Sequence, residues 1–376
     1  MSEVIFSILF YLLGIFWVGS VLYLLVGLGR LRYKTTGVTP SVSVLIAARN
    51  EASNISRCLD ALIKQDYPVE KWELIIIDDH STDDTLEIMN SYKGKLPNLT
   101  VLQADPVVEG ISPKKSALLK GIAIASGDVI LSTDADCQPK PKWISGMMQH
   151  FSDDVVAVCG YSPLIHRKGG SLLVSSIAKL DTLINATVSA GAIGWGKGIT
   201  AVGRNFAWRR SEFDKIQGFG ETIKTASGDD DLLLQRLVRT GRVRFAVNPE
   251  TFVESYAPET FSQFLRTKRR HWSAGKKYSF ELIAVSILLY FFNLFIVLGA
   301  VGCILNNISC LQLLLIFLAK FIIDGITLSR AAQIFREKLS VVAFVIAELT
   351  SPFLITILLP SALFGKIRWK DRRLDG

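Results

Sequence analysis

The chain has 376 residues and a formal net charge of +8, and 49% of its residues are hydrophobic. This composition is too apolar for a protein that is soluble throughout, so it directs attention to membrane spans. The five cysteines show no CxxC pairing or metal spacing, and the four histidines form no zinc pattern. Free buried thiols are therefore expected.

The first apolar run is Val4–Leu28, which carries no charge and is long enough to cross a bilayer. A secretory signal peptide is the competing interpretation. It fits poorly, because the leading residues carry Glu3 instead of a basic cluster and no small-residue cleavage site follows. We therefore predict a retained N-terminal anchor over residues 1–30.

After this anchor, strand-like apolar runs alternate with helical patterns. The runs are SVSVLIAA (41–48), WELIIIDD (72–79), LTVLQAD (99–105) and DVILSTDAD (128–136). Their continuous, β-branched character indicates strands buried on both faces, hence an α/β fold in which helices cover both sides of a parallel sheet. Ser81 or Thr82 is expected to cap the helix that follows the second run.

Two acidic pairs stand at the carboxyl ends of predicted strands, where ligands gather in sheets of this kind. They are Asp78-Asp79 and the two aspartates of Asp134-Ala135-Asp136. If residues 134 and 136 are strand positions i and i+2, their side chains point to the same side and converge on one hard divalent cation, Mg²⁺ or Mn²⁺. Such a cation would neutralise a diphosphate leaving group.

Other nucleotide-binding signatures fit less well. The chain has no GxxxxGK[ST] motif, which excludes a P-loop. The glycine-rich segment GWGKG (194–198) follows a helical pattern instead of a strand, so it is not a dinucleotide fingerprint. A flexible loop and direct phosphate contact both stay open for it.

Three further apolar runs, 282–305, 310–328 and 341–364, end the chain. The basic segments GRLRYK and RTKRRHWSAGKKY adjoin the first and second spans, so the region between them is predicted to be cytoplasmic. The basic tail GKIRWKDRR disagrees with a full last crossing. A break at Ser351-Pro352, giving a re-entrant hairpin, would return the tail to the cytoplasm.

Charged residues in and beside the spans have simple explanations. Lys320 and Asp324 lie at i and i+4 inside the third run, so they are expected to neutralise each other in the bundle interior, together with Glu348. A polar lining for a lipid headgroup or a growing glycan is the alternative. The basic surplus beside the spans suits anionic lipid headgroups, so a membrane and no nucleic acid is expected as a partner.

Five segments in order resemble motifs of the family 2 glycosyltransferases, which are membrane-bound enzymes with a Rossmann-like GT-A domain. The resemblance covers about residues 40–275. The segments are VSVLIAARNEASNISRCLDALIKQDYP, LIIIDDHSTDDT, STDADCQP, GRNFAWRRSEFDKIQGF (203–219) and SGDDDLLLQRL (227–237). The resemblance implies a GT-A fold, a mostly parallel sheet with flanking helices, joined to transmembrane helices.

The resemblance also implies roles for residues on the donor side. Its nucleotide-sugar-binding positions fall on Asn50, Glu51, Asp78, Asp79, Lys114 and Asp134. Among these, Asp79 with Asp78 beside it would contact the uracil and ribose. The metal-binding positions fall on Asp134 and Asp136, with Asp136 favoured as the direct ligand of Mg²⁺ or Mn²⁺.

The family's EDxDL pattern falls on residues 228–232, which makes Asp229 the catalytic base and replaces the usual Glu by Gly228. Asp230 is left as a competing catalytic residue. The chemistry asks for such a carboxylate, because an acceptor hydroxyl that attacks an anomeric carbon loses its proton as the bond forms. Alternatively, these acids complement the dipole of a helix N-terminus.

The family's Q/RxxRW signature falls on residues 268–272. Its acceptor-side, membrane-proximal positions are Arg269, Arg270, His271 and Trp272. His271 stands where Arg is usual, so a fixed guanidinium fork is lost and a processive polysaccharide synthase is put in doubt. Trp272 could stack near the acceptor, or the segment is an interfacial amphipathic helix on the bilayer.

We therefore expect a membrane-bound inverting glycosyltransferase of the plasma (inner) membrane. It would move a sugar from a nucleoside-diphosphate sugar, favouring a UDP-sugar, to a lipid or lipid-linked glycan at the cytoplasmic face. The alternatives are a processive polysaccharide synthase and a non-catalytic nucleotide-binding scaffold or transporter. The expected regions are an anchor (1–30), a GT-A domain (38–258), an interfacial segment (259–279), a transmembrane region (280–366) and a basic tail (367–376).

Overall fold

The structure is a computed structural model of the chain. It describes residues 2–364 apart from 97, 107, 109, 226 and 306–308, and after these residues 367–369 and 372–374. The α-helices are α1 (Ser2–Leu28), α2 (Ile55–Leu62), α3 (Thr85–Ser91), α4 (Pro113–Ile124), α5 (Trp143–Met148), α6 (Leu172–Ile193), α7 (Arg210–Lys215), α8 (Asp231–Leu237), α9 (Phe261–Ser273), α10 (Phe280–Ile304), α11 (Cys310–Phe335) and α12 (Val341–Phe364).

The strands of the described residues form one large sheet and two small ones. They are β1 (Val42–Ala48), β2 (Trp72–Asp78), β3 (Leu99–Gln103), β4 (Val129–Ser132), β5 (Gln138–Pro139), β6 (Val155–Gly160), β7 (Leu164–Ile165), β8 (Phe206–Arg209), β9 (Arg242–Ala246), β10 (Val253–Tyr256), β11 (Ile367–Trp369) and β12 (Arg372–Leu374). The large sheet has the order β3-β2-β1-β4-β8-β6-β9.

The large sheet is mostly parallel, as predicted. Strands β1 to β4 pair in parallel, β8 runs antiparallel to both its neighbours, and β6 and β9 are again parallel. Both faces are covered: Leu45 packs in the core on one face and Ile46 in the core on the other, both fully buried. Since strand side chains alternate between faces, this burial explains why β1 is a continuous apolar run.

The predicted cap of α3 is wrong. The N-cap is Asp84, and Ser81 and Thr82 are used elsewhere. The Asn50 N–H donates to Ser81 Oγ at 3.0 Å, and the Thr82 N–H donates to Asn50 Oδ1 at 2.8 Å. These hydroxyl-bearing residues therefore join the turns that follow β1 and β2, which places both turns at one edge of the sheet.

Four of the described helices, α1, α10, α11 and α12, are long and apolar enough to cross a membrane. They match the four runs found in the sequence. The predicted break in the last run is wrong, because α12 continues through Ser351 and Pro352 as one helix. Proline inside a helix removes one backbone hydrogen bond and can bend the helix without ending it.

The end of α12 lies beside α9, the helix that follows β10 in the chain. There Arg269 Nη2 donates to the carbonyl oxygen of Ser361 at 3.4 Å. After α12 the short strands β11 and β12 pair antiparallel, and the rest of the basic tail expected at 367–376 lies outside the described residues. The chain therefore returns to the vicinity of the domain without the hairpin that the sequence suggested.

The charges inside the third run form a buried cluster, as expected. Lys320 Nζ lies 2.8 Å from an Asp324 oxygen and 2.5 Å from a Glu348 oxygen, and all three side chains are buried. Trp17 Nε1 donates to the other oxygen of Asp324 at 3.0 Å. The cluster connects α1, α11 and α12, because each buried charge needs a partner away from water.

Gly194 and Trp195 of the GWGKG segment belong to a close contact between α1 and α6, which neither the flexible-loop nor the phosphate-contact interpretation predicted. A Cβ atom at Gly27 would lie 1.9 Å from the carbonyl oxygen of Gly191, and one at Gly194 would lie 2.0 Å from that of Gly27. Only glycine permits this approach of two helix backbones. Trp195 Nε1 donates to the carbonyl oxygen of Tyr23 at 2.8 Å and fastens the contact.

Candidate active site

Four of the six residues predicted to bind the nucleotide sugar gather at the carboxyl ends of β1 and β2. Asn50 has a left-handed backbone (φ +50°), which places its amide oxygen on the turn after β2. Asp78 is buried and accepts a hydrogen bond from the Ser81 N–H at 3.3 Å. Asp79 is also buried, and its carboxylate lies 3.2 Å from His80 Nδ1. The two strand ends therefore form one polar edge.

Glu51 lies on the same edge, next to α2. Its carboxylate accepts from Asn54 Nδ2 at 2.8 Å, and its backbone N–H donates to Thr85 Oγ1 at 2.8 Å. Among the described residues, those that line the large cleft discussed below do not include Asn50, Glu51 or the Asp78–Asp79 pair. The structure thus brings these four of the six nucleotide-sugar candidates together beside the cleft, whereas Lys114 and Asp134 line the cleft itself.

Asp134 and Asp136 lie in a turn after β4, not in the strand, so the expected strand alternation is wrong. The Cys137 N–H donates to the carbonyl oxygen of Asp134 at 3.1 Å and closes this turn. One carboxylate oxygen from each aspartate and the Cys137 sulfur nevertheless lie within 4.8 Å of one another. The turn, and not the pleat of a strand, brings the two carboxylates together.

Side chains from α2 and β10 hold this turn in place. Arg57 Nη2 donates to the carbonyl oxygen of Asp136 at 2.6 Å, and its guanidinium lies 3.9 Å from the centre of the Tyr256 ring. Ser255 Oγ donates to Asp136 Oδ2 at 3.3 Å. Arg57 therefore holds the backbone of Asp136 and Ser255 orients its carboxylate, which stays partly exposed to the cleft.

Lys114 connects the Asp134–Asp136 turn to the other acidic cluster. From the first turn of α4, its Nζ lies 3.1 Å from Asp134 Oδ1 and 2.7 Å from Asp229 Oδ2. Burial opposes its charge, but the Asp134 and Asp229 carboxylates outweigh burial and raise the pKa of Lys114. The two acidic clusters, which are distant in the sequence, therefore face a common space.

The three consecutive aspartates before α8 have different surroundings. Asp230 is the N-cap of the helix, and its oxygens accept from the N–H groups of Gly203 (2.7 Å) and Asp231 (2.8 Å). Asp231 is buried and accepts from the Tyr278 hydroxyl. Helix capping thus accounts for Asp230 and the Tyr278 contact for Asp231, which leaves Asp229 as the carboxylate that meets Lys114.

These surroundings also shift the pKa values of the three aspartates in different directions. Burial favours the neutral form of Asp229, but the nearby Lys114 ammonium more than offsets it and lowers the pKa of that carboxyl. Burial, together with the charges of Asp229 and Asp231, raises the pKa of Asp230 to about 8. Asp229 is therefore the member of the trio that is most readily ionised at neutral pH.

The membrane-proximal residues of α9 divide between two surfaces. Lys268, Arg270, His271 and Trp272 line the cleft, whereas Arg269 contacts α12. Lys268 Nζ lies 5.1 Å from the centre of the Trp272 ring, and Arg270 Nη2 lies 3.3 Å from His271 Nε2. The predicted acceptor-side group therefore stands at the cleft except for Arg269.

One cleft of about 2000 Å³ joins these groups. Its domain end is lined by Lys114, Asp134, Asp136 and Asp229. Its other end is lined by residues of the membrane helices: Trp17 of α1, Ile283, Ser286, Ile287, Leu289, Tyr290, Phe291 and Asn293 of α10, and Ile355, Leu359, Pro360 and Leu363 of α12. A polar site of the domain is thus continuous with an apolar groove among candidate membrane spans.

Some residues of the site were not found from the sequence. Tyr278 reaches Asp231 from the segment before α10, and Asp181 of α6 accepts from Lys268 at 2.6 Å. Lys115 lies next to Lys114, and that adjacency was the available signal. Tyr278 and Asp181 join the site through contacts between residues far apart in the chain, and no spacing in the sequence predicts such contacts.

Comparison with known proteins agrees with this architecture. Residues 43–215 match the family described as Glycosyl transferase family 2. The probable glycosyltransferase YdaM of Bacillus subtilis (strain 168) is 30% identical over 259 residues, which are 68% of this chain and 59% of that protein. Beta-monoglucosyldiacylglycerol synthase of Synechocystis sp. is 25% identical over 240 residues, 63% of this chain and 48% of that protein. The chain thus spans less than two thirds of either relative.

A solved structure has the same fold over nearly the whole chain. It is the mannosyltransferase PcManGT from Pyrobaculum calidifontis in complex with GDP-Man and Mn²⁺. It is 16% identical, the match covers 92% of this chain and 99% of that one, and the TM-score is 0.59. Its likeness concerns the fold alone. The domain that includes residues 43–215 therefore belongs to glycosyl transferase family 2.

Proposed function

We propose that this protein transfers a sugar from a nucleoside-diphosphate sugar, of the UDP class, to a lipid or lipid-linked glycan, with inversion at the anomeric carbon. The observation that carries the proposal is the single cleft that joins the acidic groups of the domain to α10 and α12. A water-soluble donor can enter at the polar end, and an acceptor with an apolar chain can enter from the bilayer. The Synechocystis relative is named for a glycolipid product, which supports a lipid acceptor.

Asp229 is the proposed catalytic base. The acceptor hydroxyl attacks the anomeric carbon, its proton passes to the Asp229 carboxylate, and the bond between that carbon and the diphosphate oxygen breaks. Lys114 supports this role because it keeps Asp229 ionised. Asp230 and Asp231, whose oxygens accept from backbone N–H groups and from Tyr278, are assigned to holding the start of α8.

Asp134 and Asp136 are the residues that would hold Mg²⁺ or Mn²⁺. Both are partly exposed to the cleft, and carboxylate oxygens are the ligands that these hard cations prefer. Cys137 is a poor third ligand, because Mg²⁺ and Mn²⁺ prefer oxygen ligands to a soft thiol sulfur. When bound, the cation would neutralise charge that develops on the diphosphate.

We assign the nucleoside to the polar edge formed by Asn50, Glu51, Asp78 and Asp79. This edge follows β1 and β2, and β1 pairs with both β2 and β4. The Asp134–Asp136 turn follows β4 itself. A nucleotide whose base lies at the edge and whose diphosphate lies at the turn would therefore direct its sugar towards Asp229. Ligands bind in such a crevice beyond the carboxyl ends of parallel strands.

We further propose that the domain faces the cytoplasm at the plasma (inner) membrane. Basic segments adjoin α1 and α10 where these helices meet the domain, which is the pattern of the positive-inside rule. The contact between Arg269 and Ser361 supports a position of the tail on the same side. The basic tail would then lie on the cytoplasmic side as well, in agreement with the positive-inside rule.

The direct test of this function measures metal-dependent transfer. Membranes that contain the protein receive labelled UDP-sugars and Mn²⁺, and lipid-extractable label is counted. We expect a chelator to abolish transfer and Asp136→Asn to lower it by about a hundredfold. Asp105→Asn, which changes an exposed carboxylate paired with Lys120, is the matched control and should leave transfer unchanged. Transfer that survives both the chelator and Asp136→Asn would refute the metal site.

A further inference from the structure

Lys115 is a buried lysine to which the proposed reaction assigns no role. It follows Lys114 in the first turn of α4, and its side chain is fully buried. Consecutive helix residues point about 100° apart, so the two lysines face different surroundings. Lys114 faces the cleft, whereas Lys115 points to the loop that precedes the aspartate trio.

The Lys115 ammonium bonds to that loop with all of its hydrogen-bond donors. Its Nζ donates to the carbonyl oxygens of Thr222 (2.6 Å), Thr225 (3.1 Å) and Ser227 (2.9 Å). An ammonium group has three donors, so these bonds account for all of them. The Ser112 N–H adds a fourth tie to the same loop by donating to the carbonyl oxygen of Ile223 at 2.9 Å.

This loop runs directly into the proposed base. Ser227 is followed by Gly228, whose left-handed backbone (φ +82°) turns the chain, and then by Asp229. Charged donors make stronger hydrogen bonds than neutral ones, so three bonds from one ammonium fix the backbone before this turn. The first turn of α4 therefore constrains Asp229 in two ways: Lys114 pairs with its carboxylate, and Lys115 holds the backbone that precedes it.

We infer that Lys115 is a positioning residue for sugar transfer, which sets where Asp229 stands in the cleft by fixing the carbonyls of the loop before it. This role rests on the proposed function of Asp229 as the base. The electrostatic surroundings agree: burial lowers the pKa of Lys115 to about 8, and the nearby Asp229, Asp231 and Asp230 carboxylates work in the opposite direction. The acidic trio thus helps to keep the buried ammonium charged.

The test replaces Lys115 by Met, which keeps the length of the side chain and removes the donors. We expect kcat for transfer to fall about a hundredfold, because the base is displaced, with KM for the nucleotide sugar within about twofold of wild type. Lys120→Met is the matched control: Lys120 lies on the same helix and pairs with the exposed Asp105. That variant should keep wild-type kcat and KM.

Hydrogen exchange of the full-length protein provides a readout that needs no activity. In Lys115→Met, amides of residues 220–225, 227 and 228 should exchange faster, with unchanged exchange in β1, β2 and β4. If this variant does not fold, Lys115→Arg, which keeps the charge and changes the donor geometry, takes the same two measurements with the same expected directions.

The possible outcomes are distinct. An active wild-type protein whose Lys115 variant keeps kcat, or loses kcat without faster exchange in the loop, would overturn the inference and leave the proposed function standing. A wild-type protein that transfers no sugar from any nucleotide donor would refute the proposed function, and the role of Lys115 with it. A lower kcat together with a looser loop supports the inference.

Discussion

Asp229→Asn is expected to lower kcat for sugar transfer by about a thousandfold, the scale of a lost general base. Asparagine has the same shape and takes no proton from the acceptor hydroxyl. Binding of the nucleotide sugar should be retained, because the proposed donor contacts lie at the strand ends and the Asp134–Asp136 turn. Transfer is measured in membranes with labelled UDP-sugar, and donor binding by calorimetry on the purified protein.

The neighbouring substitution Asp230→Asn is the matched comparison. Both oxygens of Asp230 accept from backbone N–H groups, those of Gly203 and Asp231. An amide would place its own N–H₂ against one of these donors, so the expected effect is a lower melting temperature with a smaller loss of kcat. An active Asp229→Asn variant beside a dead, folded Asp230→Asn variant would show that the base is Asp230.

Lys114→Met is expected to move the acidic limb of the pH–rate profile to higher pH as well as to lower kcat. Lys114 outweighs burial and holds the pKa of Asp229 below its ordinary value. Without the Lys114 ammonium, the main group that opposes burial is lost, so the pKa of Asp229 rises. Since the base works only when it is deprotonated, activity would be lost at a higher pH as the solution is acidified.

The profile is best measured as kcat between about pH 4 and pH 9, the range in which perturbed carboxyl groups titrate. Lys120→Met serves again as the control, since it removes one positive charge from the same helix at an exposed position. Its acidic limb should coincide with that of the wild type. An unchanged limb in Lys114→Met would mean that Lys114 does not control the ionisation of the base.

Most of the fold could be predicted from the sequence, because the local pattern of apolar residues determines most of its strands and helices. Buried parallel strands need apolar side chains on both faces, and β1, β2 and β4 carry them as continuous runs. The membrane helices are evident from length and composition. The local pattern predicted the wrong cap for α3, because Ser81 and Thr82 form tertiary hydrogen bonds with Asn50 instead.

The candidate site was accessible only in part. Asp134 and Asp136 do converge, but through a turn that the spacing of two residues does not distinguish from a strand. The links that build the cleft join residues far apart in the chain, such as Tyr278 with Asp231. No periodicity in the sequence predicts such contacts. The sequence supplied the chemical groups, and the three-dimensional fold was needed to show which of them meet.

The continuity of the cleft with the membrane helices is the central claim, and a single blocked position tests it most directly. Ser286 of α10 lines the groove, and its hydroxyl bonds only within its own helix, to the carbonyl oxygen of Leu282 at 2.7 Å among the contacts described. Leu288 lies on the same helix, is 40% exposed, and is outside the lining. Ser286→Trp would fill the groove, and Leu288→Trp is its matched control.

The measurement compares transfer of label from UDP-sugar into extractable lipid, and nucleotide-sugar binding, for these two variants in bilayer discs. The account predicts that Ser286→Trp binds the donor as the wild type does and forms almost no lipid product, while Leu288→Trp behaves as the wild type in both assays. Undiminished lipid product from a stably folded Ser286→Trp protein would contradict the account, since the acceptor would then reach Asp229 by another route.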